Sequence, residues 1–406
     1  MGYDDLKKLS YGKKSDYIAE YERRFNSPTA IHLDFFIGNH QAFFIPCNEV
    51  VELIYEILKI DKQILIISKR LPEQALIQYS YKCMIDEIVL TNKIEGVHSS
   101  RREISDVLDE LHEQTLKKNK AKRFRGIVTH YFKLMSKEHI PTSTCQDIRN
   151  LYNELVLPEV QAENKNHVPD GKMFRKDVVQ IYNEAGKIIH IGMVPEEKII
   201  TALEKALQFL NNDSINELYR TCLFHYMFEY VHPFYDGNGR LGRFLVSYSL
   251  SQQLEPLLAY RISETIEEKK STYYRAFKDC NHSRNLGDLT PFLIMMLTMI
   301  SQSIKDLEES LEYRENSLIQ YSKIISSLPY SADQKMCELY YVLIQAALFD
   351  ENGISIPELE NHLKCSYGTL NKNIKRISEN NLIVEKKIGK NKYYAINIEE
   401  LDQLTT

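Results

Sequence analysis

The chain has 406 residues, 43% hydrophobic and 26% charged, a balance that supports packed cores and excludes global disorder. At roughly 100 to 200 residues per domain, that length implies two to four domains. With 51 Lys and Arg against 56 Asp and Glu, the net charge is −5, which excludes a protein that coats nucleic acid with its whole surface and leaves room only for a local basic patch.

The seven cysteines are scattered with no CxxC pair, the pattern of reduced thiols in a cytosolic protein rather than of a disulfide framework or zinc site. The acidic start, Met1 to Leu6, has no apolar core and is not a signal peptide, and Leu6 stands where a myristoylation pattern needs Ser or Thr. The most apolar run, Pro291 to Ile300, falls far below the ~20 residues needed to span a bilayer. A soluble, cytoplasmic protein is expected.

Helical periodicity dominates. Residues 48–60 place Val50, Val51, Leu53, Ile54, Ile57 and Leu58 on one side, and residues 73–95 continue with Ala75, Tyr79, Met84, Ile88 and Thr91. Further helices are predicted over 101–118, 122–137 and 143–156. Val178 to Tyr182 and Lys187 to Ile191 then flank Asn183-Glu184-Ala185-Gly186, which reads as a lone β-hairpin, an accessory for binding or a structural element. Helices follow over 196–211, 214–231, 240–253, 265–280 and 289–326.

Pro329 breaks the last of these and marks a domain boundary. Beyond it come helices at about 333–348, 357–364 and 368–380, a short Ile354-Ser355, and a terminal pair, Leu382 to Glu385 and Tyr393 to Ile396. Three helices and a hairpin resemble a winged helix-turn-helix. Between Asn371 and Tyr394 lie Lys372, Lys375, Arg376, Lys386, Lys387, Lys390 and Lys392 against Glu379 and Glu385, a local excess of five positive charges. That excess falls on the expected recognition helix and wing. It suits DNA contact, or equally a solvated face of a protein-binding or oligomerising module.

Three glycines fall close together in His232-Pro233-Phe234-Tyr235-Asp236-Gly237-Asn238-Gly239-Arg240-Leu241-Gly242-Arg243. Leu218, Cys222, His225 or Tyr226, and Tyr230 form a helix before this run, and Leu241, Phe244, Leu245, Tyr248 and Leu250 form one after it. Gly237 to Gly242 also fits GxGxxG, but no strand precedes it and no βαβ unit surrounds it, so the dinucleotide reading fails. A helix–loop–helix junction instead offers glycine-flanked amides at a helix N-terminus to phosphate oxygens. Arg240 and Arg243, three apart, can clamp successive phosphates. Asp236 suits Mg²⁺, or caps the following helix. His232 is a candidate general base. Together these parts describe phosphoryl or nucleotidyl transfer to a hydroxyl.

The run resembles the signature of Fic domains, His-Pro-Phe-x-Asp-Gly-Asn-Gly-Arg-x-Gly-Arg, at all ten specified positions, and the resemblance extends over about residues 50 to 300. It implies transfer of AMP from ATP to a Ser, Thr or Tyr hydroxyl of a protein. Carried over residue by residue, His232 deprotonates the target, Phe234 anchors the loop in the core and Asp236 holds Mg²⁺. Gly237, Asn238 and Gly239 form the anion hole, Arg240 takes the β-phosphate and Arg243 the γ-phosphate. The hairpin becomes a flap that aligns the target.

The same family has an inhibitory motif, [ST]xxxE[GN], which Thr91-Asn92-Lys93-Ile94-Glu95-Gly96 matches. Thr91 and Glu95 lie on one helical face, Gly96 suits the helix end, and Glu95 facing Arg243 would displace the γ-phosphate. The expectation is a mainly α protein: an N-terminal helical region with the inhibitory helix (1–110), a Fic-type helical core with a small hairpin flap (111–300), a linking helix (301–328) and a winged helix-turn-helix domain (329–406). It is an ATP- and Mg²⁺-dependent protein adenylyltransferase autoinhibited by Glu95, acting on a partner protein or on itself, without membrane contact. A homodimer is in keeping with the family. The alternatives are a Fic enzyme with another nucleotide donor or one that removes AMP, and a DNA-binding regulator whose Fic core is a sensor or inactive.

Overall fold

The computed structural model describes residues 3–12, 14–112, 123–182, 188–388 and 391–405. The hairpin turn expected at 183–186, the end of the helix expected to reach 118 and Lys390 lie outside them. The chain forms two compact units, one of Met1–Asp61 with Met84–Lys305 and one of Lys62–Cys83 with Asp306–Thr406.

Helices build the first unit. Two of them, Glu217–Val231 and Asn238–Gln253, are buried on nearly every side, so neither shows the one-sided apolar stripe of a surface helix, and polar residues such as His225, Arg240 and Arg243 are buried among the apolar ones. The first unit also holds the part of the Glu73–Ile94 helix from Met84 on, together with Arg125–Met135, Cys145–Leu155 and Glu196–Leu210. The Cys145–Leu155 helix opens on a capping box between Thr144 and Asp147, which satisfies two otherwise orphaned amides.

The expected hairpin is present, shortened to Gln180–Tyr182 and Ile188–Ile191, paired antiparallel. It is not the only one. Ile31–Ile37 and His40–Phe44 also pair antiparallel, with Leu33, Phe35 and Ile37 buried and the residues between them more exposed. The helix expected over 265–280 is two, Ile262–Glu268 and Lys270–Cys280. Lys269, at φ −106° and ψ 26°, closes the first, and its amide reaches back to the Thr265 carbonyl at 3.0 Å. No Pro or Gly marks that break, so periodicity runs through it unseen.

In the second unit, helices Gln334–Phe349, Ile356–Leu363 and Tyr367–Ser378 precede two antiparallel strands, Ile383–Ile388 and Asn391–Ile396. Ile354–Ser355 pairs on the free side of the last strand, giving a three-stranded sheet. A final helix, Ile398–Thr405, was not anticipated. Among the described residues no helix is long and apolar enough to cross a membrane.

Candidate active site

The motif loop is held by its own residues. The Glu217–Val231 helix ends at His232, which takes the left-handed φ 52°, ψ 63°, its amide closing onto the Phe228 carbonyl at 2.9 Å. Pro233 follows and cannot continue the helix. Buried Arg175 fastens this end, donating from Nε to the His232 carbonyl at 2.9 Å and from Nη2 to the Val231 carbonyl at 3.4 Å. Phe234 is fully buried and stacks on Tyr152 with ring centroids 3.6 Å apart and planes 4° from parallel. The Asn238 side chain is turned inward. Its Oδ1 accepts from the Phe234 amide at 2.9 Å and its Nδ2 donates to the Phe234 carbonyl at 2.8 Å, so only the Asn238 backbone remains for a ligand. Gly237 starts the next helix at φ 79°, and a Cβ there would lie 2.3 Å from Val156 Cγ1.

Arg243 is gripped on every nitrogen. Nε donates to Thr91 Oγ1 at 2.8 Å, Nη1 to Glu95 Oε1 at 2.7 Å and Nη2 to the Thr91 carbonyl at 2.9 Å. Thr91 sits in the last turn of the Glu73–Ile94 helix, Glu95 just past its end, and Gly96 at φ 75° turns the chain away. A Cβ on Gly239 would fall 2.1 Å from Glu95 Oε1. The carboxylate therefore lies against the first turn of the motif helix, where free amides point outward. Burial presses the Arg243 guanidinium toward neutrality, but Glu95 beside it holds it above its ordinary range.

Arg240 is gripped on one nitrogen only. Nη1 donates to Glu159 Oε2 at 2.8 Å, with both side chains buried, while Nε and Nη2 are buried without a hydrogen-bond partner. Nη2 lies 3.8 Å from Asp236 Oδ1. Burial pushes the Glu159 carboxyl up to about 7 against the pull of Arg240. Asp236 keeps a side chain 38% exposed, with Oδ2 3.5 Å from His167 Nδ1 and Oδ1 accepting the Gly237 amide at 2.5 Å.

Among the described residues no group of three or more His, Cys, Asp or Glu is gathered around a metal position. One accessible carboxylate, completed by phosphate oxygens and water, is nevertheless how Mg²⁺ is commonly held, and Asp236 fits that role.

His232 Nδ1 is buried and lacks a hydrogen-bond partner, with Glu229 Oε2 3.7 Å away. The hairpin is tied to the same helix end. His190 Nε2 is 2.7 Å from the Tyr230 carbonyl, and the Met193 amide donates to the Val231 carbonyl at 3.2 Å. The structure thus gathers His232, Asp236, Gly237, Gly239, Arg240, Arg243, Thr91 and Glu95 at one end of the motif helix, while Phe234 and the Asn238 side chain face inward. Sequence reasoning missed Glu159, Glu229, Arg175 and His167. Only Glu229, three residues before His232, carried a signal in its spacing.

Residues 142–250 match the sequence profile of the Fic/DOC family. The chain is 32% identical over 120 residues to protein adenylyltransferase fic-1 of Caenorhabditis elegans, covering 27% of this chain and 22% of that protein. It is 30% identical over 106 residues to protein adenylyltransferase Fic of Nematostella vectensis, covering 26% and 23%. The chain therefore spans less than a quarter of the length of either relative. A Fic family protein from Desulfovibrio desulfuricans G20 superposes over 86% of this chain and 96% of its own, with TM-score 0.50 and 19% identity, a likeness of fold.

Proposed function

We propose that this chain, a Fic-domain protein, moves AMP from ATP to the hydroxyl of a protein side chain and is held in check by Glu95. The observation that carries the reading is the full occupation of Arg243 by Thr91 and Glu95, with the Glu95 carboxylate against Gly239. A carboxylate standing among outward-facing amides and a guanidinium occupies a place suited to phosphate oxygens.

In this reading His232 Nε2 takes the proton of the target hydroxyl while that oxygen attacks the α-phosphorus and pyrophosphate leaves. Arg240, with two nitrogens uncommitted, contacts the β-phosphate. Arg243 contacts the γ-phosphate once Glu95 withdraws. Backbone amides from Gly237 to Gly239 face the developing negative charge. Asp236 would hold Mg²⁺, which neutralises phosphate charge when bound. The edge of the 180–191 hairpin aligns an extended target segment by strand pairing.

The test is to supply Glu95→Gly with ATP labelled at the α- or the γ-phosphate, in parallel. Label entering protein from the α position alone supports adenylyl transfer. Label from the γ position, or none with any nucleoside triphosphate, would overturn it.

A second reading concerns the C-terminal unit, which we read as a winged helix. Lys372, Lys375 and Lys387 are exposed on its third helix and first long strand, and Lys387 pairs in register with Lys392. Lys392 also pairs with Glu385 at 2.6 Å, which leaves Lys372, Lys375 and Lys387 as the exposed cations offered to a partner. Duplex DNA binding whose affinity falls steeply with salt, and is lost when Lys372, Lys375 and Lys387 become Glu, would support this reading. Absence of binding at low salt would remove it.

A further inference from the structure

Glu229 is a half-buried carboxylate with no assigned task. It lies in the last turn of the Glu217–Val231 helix, three residues before His232, and its Oε1 is buried without a hydrogen-bond partner. A Cβ added to Gly242 would meet Oε1 at 2.4 Å and the His225 ring at 3.3 Å. Backbone with no side chain thus makes room for this carboxylate beneath the motif helix.

No cation is dedicated to it. His225 is fully buried, bonds Tyr273 Oη through Nε2 at 2.6 Å, and is pushed by burial down to about 4. Arg243 has every nitrogen committed to Thr91 and Glu95. Burial works against the Glu229 charge, yet His232, His225 and Arg243 together hold its carboxyl below the ordinary range. Two unpartnered ring nitrogens border it: His225 Nδ1, at the same notch beneath Gly242 as Oε1, and His232 Nδ1, 3.7 Å from Oε2. The buried Nδ1 donor of His232 is costly unless it closes on Oε2, the carboxylate oxygen that faces it; the orphaned oxygen of the same carboxylate, Oε1, lies on the Gly242 side.

We infer that Glu229 is the positioning residue of the base: its carboxylate holds the proton of the His232 ring on Nδ1, leaving Nε2 as the nitrogen that accepts the target proton. The inference rests on His232 being the base proposed above. Which ring nitrogen carries the proton is set by what the other one faces. When Nε2 takes the hydroxyl proton, the ring becomes a cation and Glu229 is the neighbouring anion that offsets it, itself remaining unprotonated. The backbone supports this alignment. The Phe228 carbonyl and Arg175 Nε fix the main chain of His232 at both its amide and its carbonyl, so the point from which the side chain leaves the backbone is set relative to Glu229.

The test uses the full chain labelled with ¹⁵N-histidine, with His232 assigned by its loss in His232→Asn. The wild type and Glu229→Gln show the neutral His232 ring with its proton on Nδ1, because a Gln carbonyl still accepts there. Glu229→Leu moves the proton to Nε2. In a Glu95→Gly background, Glu229→Leu lowers kcat by about 10²-fold or more, Glu229→Gln recovers part of it, and the KM for ATP stays within about twofold, since nothing that binds phosphate has moved. An Nε2–H ring in the wild type, or an unchanged Nδ1–H ring in Glu229→Leu, would overturn the inference. So would a rise in KM matching the fall in kcat, because Glu229 would then be supporting the loop. Undiminished transfer in Glu95→Gly with His232→Ala would instead refute His232 as the base, and the ring spectra would still report whether Glu229 sets the tautomer.

Discussion

Thr91→Val probes the grip on Arg243 with little change of shape. Valine keeps the branching and nearly the size of the fully buried Thr91 but removes Oγ1, the acceptor 2.8 Å from Arg243 Nε. The Thr91 carbonyl at 2.9 Å and Glu95 at 2.7 Å remain, so the grip weakens without vanishing. A hydrogen bond to a charged group contributes about 1.5–3 kcal/mol, and each 1.4 kcal/mol is a factor of about ten. The donor left unpartnered in the closed state finds a phosphate oxygen once nucleotide displaces Glu95. Destabilising the closed state therefore appears as tighter nucleotide binding. Calorimetric titration with a non-hydrolysable ATP analogue should give a Kd lowered by about tenfold or more, between the wild type and Glu95→Gly. An unchanged Kd accompanied only by a lower Tm would refute the reasoning, since Thr91 would then stabilise the fold without competing with nucleotide.

The loop geometry makes Gly237→Ala destabilising: its left-handed φ costs about 1–2 kcal/mol for a residue with Cβ, and the new atom would crowd Val156. A Tm lowered by several degrees is expected in thermal unfolding, and an unchanged Tm would contradict that account of the loop. Glu87, one turn before Thr91, is fully buried, accepts from the Ser263 amide and hydroxyl at 2.8 and 2.6 Å, and is pushed by burial up to about 7. A carboxyl raised on folding favours the folded state below its unfolded pKa of about 4.5, and that stability is lost as pH rises through 7. The loss amounts to about 3 kcal/mol at most, and Glu87→Gln should flatten the denaturant-measured stability between pH 5 and 7.5. A slope unaltered by the substitution would show that Glu87 ionises normally.

Much of this site is written in adjacent residues. The twelve-residue run from His232 to Arg243 made the helix–loop–helix junction legible, because Pro and Gly act locally on the backbone, while the left-handed conformation of His232 was not. Thr91 and Glu95 were legible as a pair by their four-residue spacing, although their meeting with Arg243 depends on the packing of a helix far away in sequence. Glu159 was not legible. It bonds Arg240 across 81 positions, and nothing in Leu157–Glu163 distinguishes it from Glu163 one helical turn on. The task of the Asn238 side chain was not legible either, since its amide is consumed within the loop by the Phe234 backbone. Ile31–Ile37 did carry its signal, alternating residues followed by Gly38 at φ 59°, but the dominance of helical periodicity hid it. The break at Lys269 left no signal of its own.

In the proposed function one site transfers AMP, His232 serves as its base and Glu95 restrains it. The most direct measurement incubates wild type, Glu95→Gly, and Glu95→Gly with His232→Ala under the same conditions, with Mg²⁺, ATP labelled at the α-phosphate and a cell lysate. Strong protein labelling by Glu95→Gly, weak labelling by the wild type and none by the double variant is the predicted result. Equal labelling by wild type and Glu95→Gly would contradict the restraint, and labelling that survives the loss of His232 would contradict the base.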